Sequence, residues 1–240
     1  MADFVKAIEI EKIYLTEKLN DKEPFHLIDA IKQCGFKSLE EYFLVKRRYQ
    51  FRELEFISKD ITQDEIVSEI LTVLEAGTIG VWFINSTKTC VFSGNQGLED
   101  FNDEYCTENN ITVFPLLSAG GAIVHQDGDF SYGISCPENL IVDATFILER
   151  TRYMIQKHTK KNVTVDGNDI LIDGAKVCGS TTYSKNGLFL FIAYFSFNDK
   201  SDLIKAICNK KTDKTPSYID FMTREELRQE VLAWLSPNSI

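Results

Sequence analysis

Two stretches of this chain hold residue types whose spacing could do chemistry. The first is LLSAGGAIVHQDGDFSYG, residues 116–133. An apolar run stops at Ser118-Ala119-Gly120-Gly121, resumes at Ala122-Ile123-Val124, then presents His125, Asp127 and Asp129. Adjacent glycines leave backbone N–H groups open to a phosphate or to the flat face of a ligand. The plainer reading of the same glycines is a hairpin turn. The second stretch is DGNDILIDGAKVCGS, residues 166–180, with Asn168 and Asp169 ahead of a β-like run and Lys176 seven residues after Asp169. If the runs on either side of Asp173-Gly174 pair, a carboxamide, a carboxylate and an ammonium meet at one sheet end. Such a set suits a polyanionic nucleotide, with Asp169 for Mg²⁺ and Lys176 for phosphate or carboxylate oxygens. Alternatively, Asp169 and Lys176 are surface residues flanking a hairpin.

These stretches need elements to hold them. Residues 1–77 are rich in Lys and Glu and read as a helical N-terminal segment, with apolar residues at helical spacing at Leu27, Ile28 and Ile31 and at Leu39, Tyr42 and Phe43. TQDEIVSEILTVLEAG, residues 62–77, carries Thr62 as N-cap, Glu65 three residues on and Gly77 at its end. From residue 78 the pattern turns to short strands: TIGVWFIN, KTCVFSG, ITVFPLL, GAIVH and FSYGISC. An amphipathic helix follows in ENLIVDATFILERTRYMIQKH, with Ile141, Ala144, Ile147, Leu148 and Ile155 on one face. A second β block has Asp-Gly turns at 166–167 and 173–174. The last helix opens with Thr223 and Glu226 as a capping box and buries Leu227, Val231 and Leu235. The order helices, strands, helix, strands, helix predicts an α+β fold on a largely antiparallel sheet, with residues 78–240 as one domain.

Bulk properties narrow the function. The 240 residues are 44% hydrophobic and 26% charged, enough for a packed core. The formal net charge of −10 argues against nucleic-acid binding, which wants a basic face. KHTKK (157–161) and KRR (46–48) read as solvated helix ends. No run approaches the roughly 20 apolar residues of a membrane span, and the N-terminus lacks a secretory pattern. A soluble, cytoplasmic protein is expected. The six cysteines form no CxxC pair and the three histidines are far apart, so buried thiols are preferred over a zinc site.

Taken in order, FSGNQG (92–97), SAGGAIVHQDGD (118–129) and GNDILIDGAKVCGS (167–180) resemble the lipoate–protein ligase branch of the biotin/lipoate protein ligase superfamily. That family carries a glycine-triplet loop running into Ala-Val and a histidine, then Gly-Asn. Later come Asn-Asp-(Leu/Ile), a hairpin and Lys-(Ile/Val)-Ser-Gly-Ser. The resemblance spans about residues 78 to 200, and Lys176 to Ser180 is its most specific part. It implies the class II aminoacyl-tRNA synthetase-like core shared by biotin and lipoate ligases. It also implies a two-step reaction, in which lipoate or octanoate is activated by ATP as an acyl-adenylate, then passed to a lysine of a lipoyl carrier domain or H-protein. Lys176 would be the catalytic ammonium. Asn168 and Asp169 would face the nucleotide and Mg²⁺. Ser118, Gly120, Gly121, Ala122 and His125 would line the loop around the adenylate, with Asn95, Gln96 and Gly179 near the same pocket.

The sequence departs from the family at several points. The two arginines before the loop are Pro115 and Leu116, the first loop glycine is Ala119, and the arginine before Asn-Asp is Gly167. The asparagine after His-x-x-Gly is Asp129, which would repel a triphosphate, and the family's His-His-Gly reads Ser184-Lys185-Asn186-Gly187. Lost guanidinium groups remove a phosphate clamp that lysine does not reproduce geometrically. A second reading is therefore a weakened member that binds an acyl group, nucleotide or carrier without turnover. Cys178 lies two residues beyond Lys176, on the same face of a regular strand. It replaces a family serine rather than matching the nucleophilic cysteine of octanoyl transferases.

Overall fold

The computed structural model describes residues 37, 56–62, 65, 66, 68, 69, 72, 79–93, 101–115, 122–137, 144–185, 187–209 and 214–235. The chain divides into two compact units, Met1–Leu54 with Leu232–Ile240, and Glu55–Val231; both sheets lie in the second. The described elements are β1 (Phe56–Thr62), β2 (Ile79–Asn85), β3 (Cys90–Ser93), α1 (Asp103–Glu108), β4 (Thr112–Pro115), β5 (Ala122–His125) and β6 (Phe130–Pro137). There follow α2 (Ala144–Gln156), β7 (Val163–Asp166), β8 (Asp169–Ile172), β9 (Ala175–Lys185), β10 (Leu188–Phe195), α3 (Ser201–Ile207) and α4 (Arg224–Leu235). The fold is α+β, as the alternation of patterns predicts.

The large sheet runs β1-β2-β6-β10-β9-β8-β7, and a small sheet runs β4-β3-β5. Within the large sheet only β1 and β2 pair in parallel. Strand β10 is LFLFIAYF, all of it buried, between β6 and β9. A run of eight apolar residues suits a strand covered on both faces. One face sends Leu188, Leu190, Ile192 and Tyr194, with Trp82 and Ile84 of β2, against Cys90 and Phe92 of the small sheet. On the other, Phe191 and Phe195 each lie 6.0 Å from the ring of Tyr132. Burying each such side chain contributes about 1.5–3 kcal/mol. Two of the polar tips among them are satisfied, while the Tyr194 hydroxyl has no partner among the described residues. Trp82 donates to Ser135 at 2.8 Å, and the Tyr132 hydroxyl pairs with Thr151 of α2, whose own proton goes to the Ile147 carbonyl.

The small sheet is covered twice by the alternation of β3. Phe92 faces the large sheet, while Val91 packs with Phe101 and Cys106 around α1 and Ile207 of α3. Neither α1 nor α3 is evident from apolar periodicity. Strand β1 likewise arises in a region expected to be helical, its partner being the more apolar β2 in register from Phe56↔Ile79 to Thr62↔Asn85. The capping boxes are present: Glu65 accepts from the backbone N–H and hydroxyl of Thr62, and Glu226 from those of Thr223. Lys157 and His158, just past α2, both pair with Glu230 of α4. The helices expected around Leu27 and Leu39, and Ile141, lie outside the described residues.

Both Asp-Gly signals mark turns. The β7–β8 turn closes on Asp166↔Asp169 and the β8–β9 turn on Ile172↔Ala175. In the second, Asp173 and Gly174 have φ of 50° and 83°, the primed geometry that matches strand twist. Gly174→Ala should destabilise the chain by about 1 kcal/mol through the positive φ alone, since a Cβ there meets no atom within 4 Å. Urea unfolding checks this.

Candidate active site

The β8–β9 hairpin builds the site through an irregularity. Pairing runs Ile172↔Ala175 and Leu171↔Lys176, then jumps to Ile170↔Cys178 and Asp169↔Gly179. The extra residue, Val177, is a β-bulge, and it reverses the alternation beyond it. In a regular strand Lys176 and Gly179 would point to opposite faces; the bulge puts both on the face of Asp169. It also corrects the expectation for Cys178, which goes with Ile170 to the other face. There its burial pushes the thiol far above its ordinary range, so it is no nucleophile.

Lys176 bends back over Gly179 to Asp169, with Nζ 2.8 Å from Oδ1. A Cβ on Gly179 would lie 3.3 Å from both Cε and Nζ of Lys176. Glycine gives the ammonium room to lie flat on the strand, where a Cβ would press on it. Gly179→Ala should therefore lower the rate of any reaction that uses this ammonium by roughly tenfold to a hundredfold, with thermal stability unchanged because only a flexible tip must give. Lys176 retains 38% side-chain exposure while Asp169 has 17%, so the ammonium's side chain is the more open to solvent of the two.

The other oxygen of Asp169 is taken by Lys214, at 2.8 Å. Lys214 also meets Asp166 Oδ2 at 3.0 Å and the Asp166 carbonyl at 2.9 Å. Burial pulls its ammonium downward, but hydrogen bonds with Asp169 and Asp166 outweigh this and raise its pKa above the ordinary value. Its segment is anchored to β9: Lys176 N–H donates to the Thr215 carbonyl and Ser217 N–H to the Lys176 carbonyl, both at 2.8 Å. Sequence reasoning passed over Lys214, although it ends a basic run, Lys210-Lys211-Thr212-Asp213-Lys214, just before Pro216. Asn168 sits in the β7–β8 turn, its carbonyl accepting from the N–H and hydroxyl of Ser180 at 2.7 and 2.9 Å. Its side chain is exposed.

The residues present do not fit a magnesium site built by the protein. Both oxygens of Asp169 face ammonium groups, and the described residues hold no cluster of three or more His, Cys, Asp or Glu suited to a metal.

His125 ends β5 and is 1% exposed, edge-on to Phe92 and Tyr194 at 5.7 and 5.6 Å. Its Nε2 pairs with the Ser131 hydroxyl at 2.9 Å, and its Nδ1 has no partner among the described residues. Burial, then the nearby Lys200, hold its pKa well below the usual histidine value, so the ring is neutral. Ala122 begins β5 opposite Ser93. Ser118, Gly120, Gly121, Asn95 and Gln96 lie outside the described residues. The structure thus brings Lys176, Asp169 and Gly179 together, with Asn168 at the adjoining turn, and places His125 within an aromatic cluster between the sheets.

Asp129 differs from its sequence expectation. It is wholly buried and ion-paired with Lys200 at 2.5 Å. Gln126 N–H also donates to its Oδ2, and Phe197 N–H to its Oδ1. Lys200 in turn donates to the Val124 carbonyl at 2.6 Å. The carboxylate is neutralised inside the protein and offers little repulsion to an anion outside. Its task is to tie the β5–β6 turn to the segment after β10. Burial, opposed by Asp129, leaves the Lys200 pKa lowered.

Comparison with known proteins bears on this geometry. The family described as the lipoyl protein ligase A/B catalytic domain matches residues 63–229. A lipoate-protein ligase of Bacillus subtilis, LplJ, is 24% identical over 172 residues, 63% of this chain and 51% of that relative. The chain thus spans about half the length of the curated relative it matches. Among solved structures, the bipartite lipoate protein ligase of Thermoplasma acidophilum, described with its E2 lipoyl domain, superposes with a TM-score of 0.61 at 14% identity, covering 77% of this chain and 83% of that one. LipL1 of P. falciparum, in complex with lipoate, gives 0.62 at 15%, covering 75% and 58%. A lipoate-protein ligase A bound with ATP gives 0.61 at 14%, covering 77% and 84%. These likenesses extend the agreement on fold, and the family match, which takes in both hairpins and Lys176, decides membership: the chain belongs to the lipoyl protein ligase A/B catalytic-domain family.

Proposed function

We propose that this chain activates a lipoyl- or octanoyl-type carboxylic acid with ATP and transfers it to a lysine of a carrier domain such as a lipoyl domain or H-protein. In the first step a carboxylate oxygen attacks the α-phosphorus and pyrophosphate departs, giving acyl-AMP. In the second, the acceptor amine attacks the acyl carbon, loses a proton, and AMP leaves with the bonding electrons. The observation that carries the reading is the Lys176 ammonium, held over Gly179 by Asp169 yet still bordering solvent. A preorganised cation at this position offsets the negative charge that builds on the acyl and phosphoryl oxygens, commonly the largest single catalytic contribution. Asn168, next to Asp169 in the chain, offers an exposed carboxamide. The glycine bend, Ser118 to Gly121, would supply backbone N–H groups, with Ala122, His125, Asn95 and Gln96 around it. Incubation with ATP and lipoate, followed by mass spectrometry for lipoyl-AMP, tests the reading; no adenylate and no pyrophosphate release would reject it.

A second reading, binding without turnover, is favoured by Pro115, Leu116 and Gly167, which stand where the family carries arginine. Calorimetry separates the two. Tight binding of lipoyl-AMP with no pyrophosphate release supports the binder.

A further inference from the structure

The two lysines on Asp169 are not equivalent. The Lys214 ammonium has three N–H groups and three acceptors: Asp169 Oδ2 at 2.8 Å, Asp166 Oδ2 at 3.0 Å and the Asp166 carbonyl at 2.9 Å. Its donors are used up. Among the described residues the Lys176 ammonium has one acceptor, Asp169 Oδ1, which leaves two N–H groups for something else. Lys214 is the more enclosed of the two, at 26% side-chain exposure against 38%. Thr215 and Ser217, which follow it, are hydrogen-bonded to the backbone of Lys176 itself. The segment that carries Lys214 therefore moves with the strand that carries Lys176.

We propose that Lys214 is a positioning residue that acts through Asp169: it holds and compensates one carboxylate oxygen, so that Lys176 can leave the other for a substrate oxyanion. The inference rests on Lys176 being the ammonium that meets substrate. A carboxylate at 17% exposure is costly to strand without a cation. With Lys214 in place, release of Lys176 leaves Asp169 paired. Without it, Asp169 and Lys176 become each other's only ionic partner among the described residues, and substrate must compete with that bond. Lys214 donates no hydrogen bond to substrate in this arrangement, and the effect of losing it passes through Asp169.

The test is a double-mutant cycle on the full chain, reading lipoyl-AMP formed from lipoate and ATP. Lys214→Met should lower the rate about tenfold, and Lys214→Arg should restore most of it. In an Asp169→Asn background, Lys214→Met should cost nothing further. Losses that multiply in the two backgrounds would show Lys214 acting independently of Asp169 and overturn the proposal, as would a Lys214→Met variant with the wild-type rate. Lys214→Gln serves if the methionine variant fails to fold. A second readout needs no turnover: acetylation of lysines by acetic anhydride, mapped by mass spectrometry. Lys176 should be labelled several-fold more slowly in Lys214→Met than in the wild type. An inactive wild type with that labelling pattern would reject the adenylation reading while supporting the clamp, and unchanged or faster labelling of Lys176 would overturn the clamp.

Discussion

Replacing Lys176 by alanine is expected to lower acyl-adenylate formation by about a hundredfold to a thousandfold, the usual cost of removing one preorganised group from a developing oxyanion. The fold should survive. Asp169 keeps Lys214 at 2.8 Å, so no buried charge is stranded, and Lys176 has partial access to water. Its ion pair contributes at most about 1 kcal/mol to stability. Activity and stability therefore separate in this variant, whereas they would fall together if Lys176 only braced the hairpin. Lys176→Arg should not rescue it. The planar guanidinium is wider than an ammonium and does not fit the flat path over Gly179 that brings Nζ to Asp169. Single-turnover formation of lipoyl-AMP and thermal melting of the three proteins are the measurements. An alanine variant within threefold of the wild type would remove Lys176 from the chemistry.

The largest expected effect on stability lies elsewhere, at Lys200. Lys200→Met leaves Asp129 wholly buried and without its cation, and should cost about 3–5 kcal/mol. Among the described residues Asp129 would keep the N–H groups of Gln126 and Phe197. The double variant Lys200→Met/Asp129→Asn removes both charges and should recover most of the loss, because the carboxamide can still accept from a backbone N–H. Guanidinium unfolding of the single and double variants reads this directly. A single variant within about 1 kcal/mol of the wild type would mean that water or rearrangement already compensates Asp129.

The reach of the sequence follows from what kind of signal each feature leaves. Turn chemistry was plain: Asp173-Gly174 has the positive φ pair that Asp-Gly favours, and Thr223 with Glu226 makes the reciprocal cap. The all-apolar β10 also announced itself. Helix α1 was written in a quieter code, with Asn102 capping Tyr105 N–H and Asp103 and Glu104 in the first turn, but six residues are too few for periodicity to register. Strand β1 contains Lys59 and Asp60, and its extended form depends on a partner 23 residues later.

At the site, the convergence of Asp169 and Lys176 followed from hairpin pairing. The bulge at Val177 did not, because an extra residue changes register without changing composition. That slip explains why Lys176 shares a face with Gly179 rather than with Cys178. Lys200 and Lys214 were illegible for a different reason. Each acts on a residue 71 or 45 positions away, and a lysine after a strand or at the end of a short basic run has no local pattern that reports its partner. For the same reason Asp129 read as a bare charge instead of half of a neutral pair.

A crystal structure of the full chain with lipoyl-AMP, or with a non-hydrolysable analogue of it, tests the account most directly. The expected result has Lys176 Nζ hydrogen-bonded to the acyl or phosphoryl oxygen while Lys214 stays on Asp169. An adenylate bound with no oxygen near Lys176, whose ammonium remains on Asp169, would contradict it.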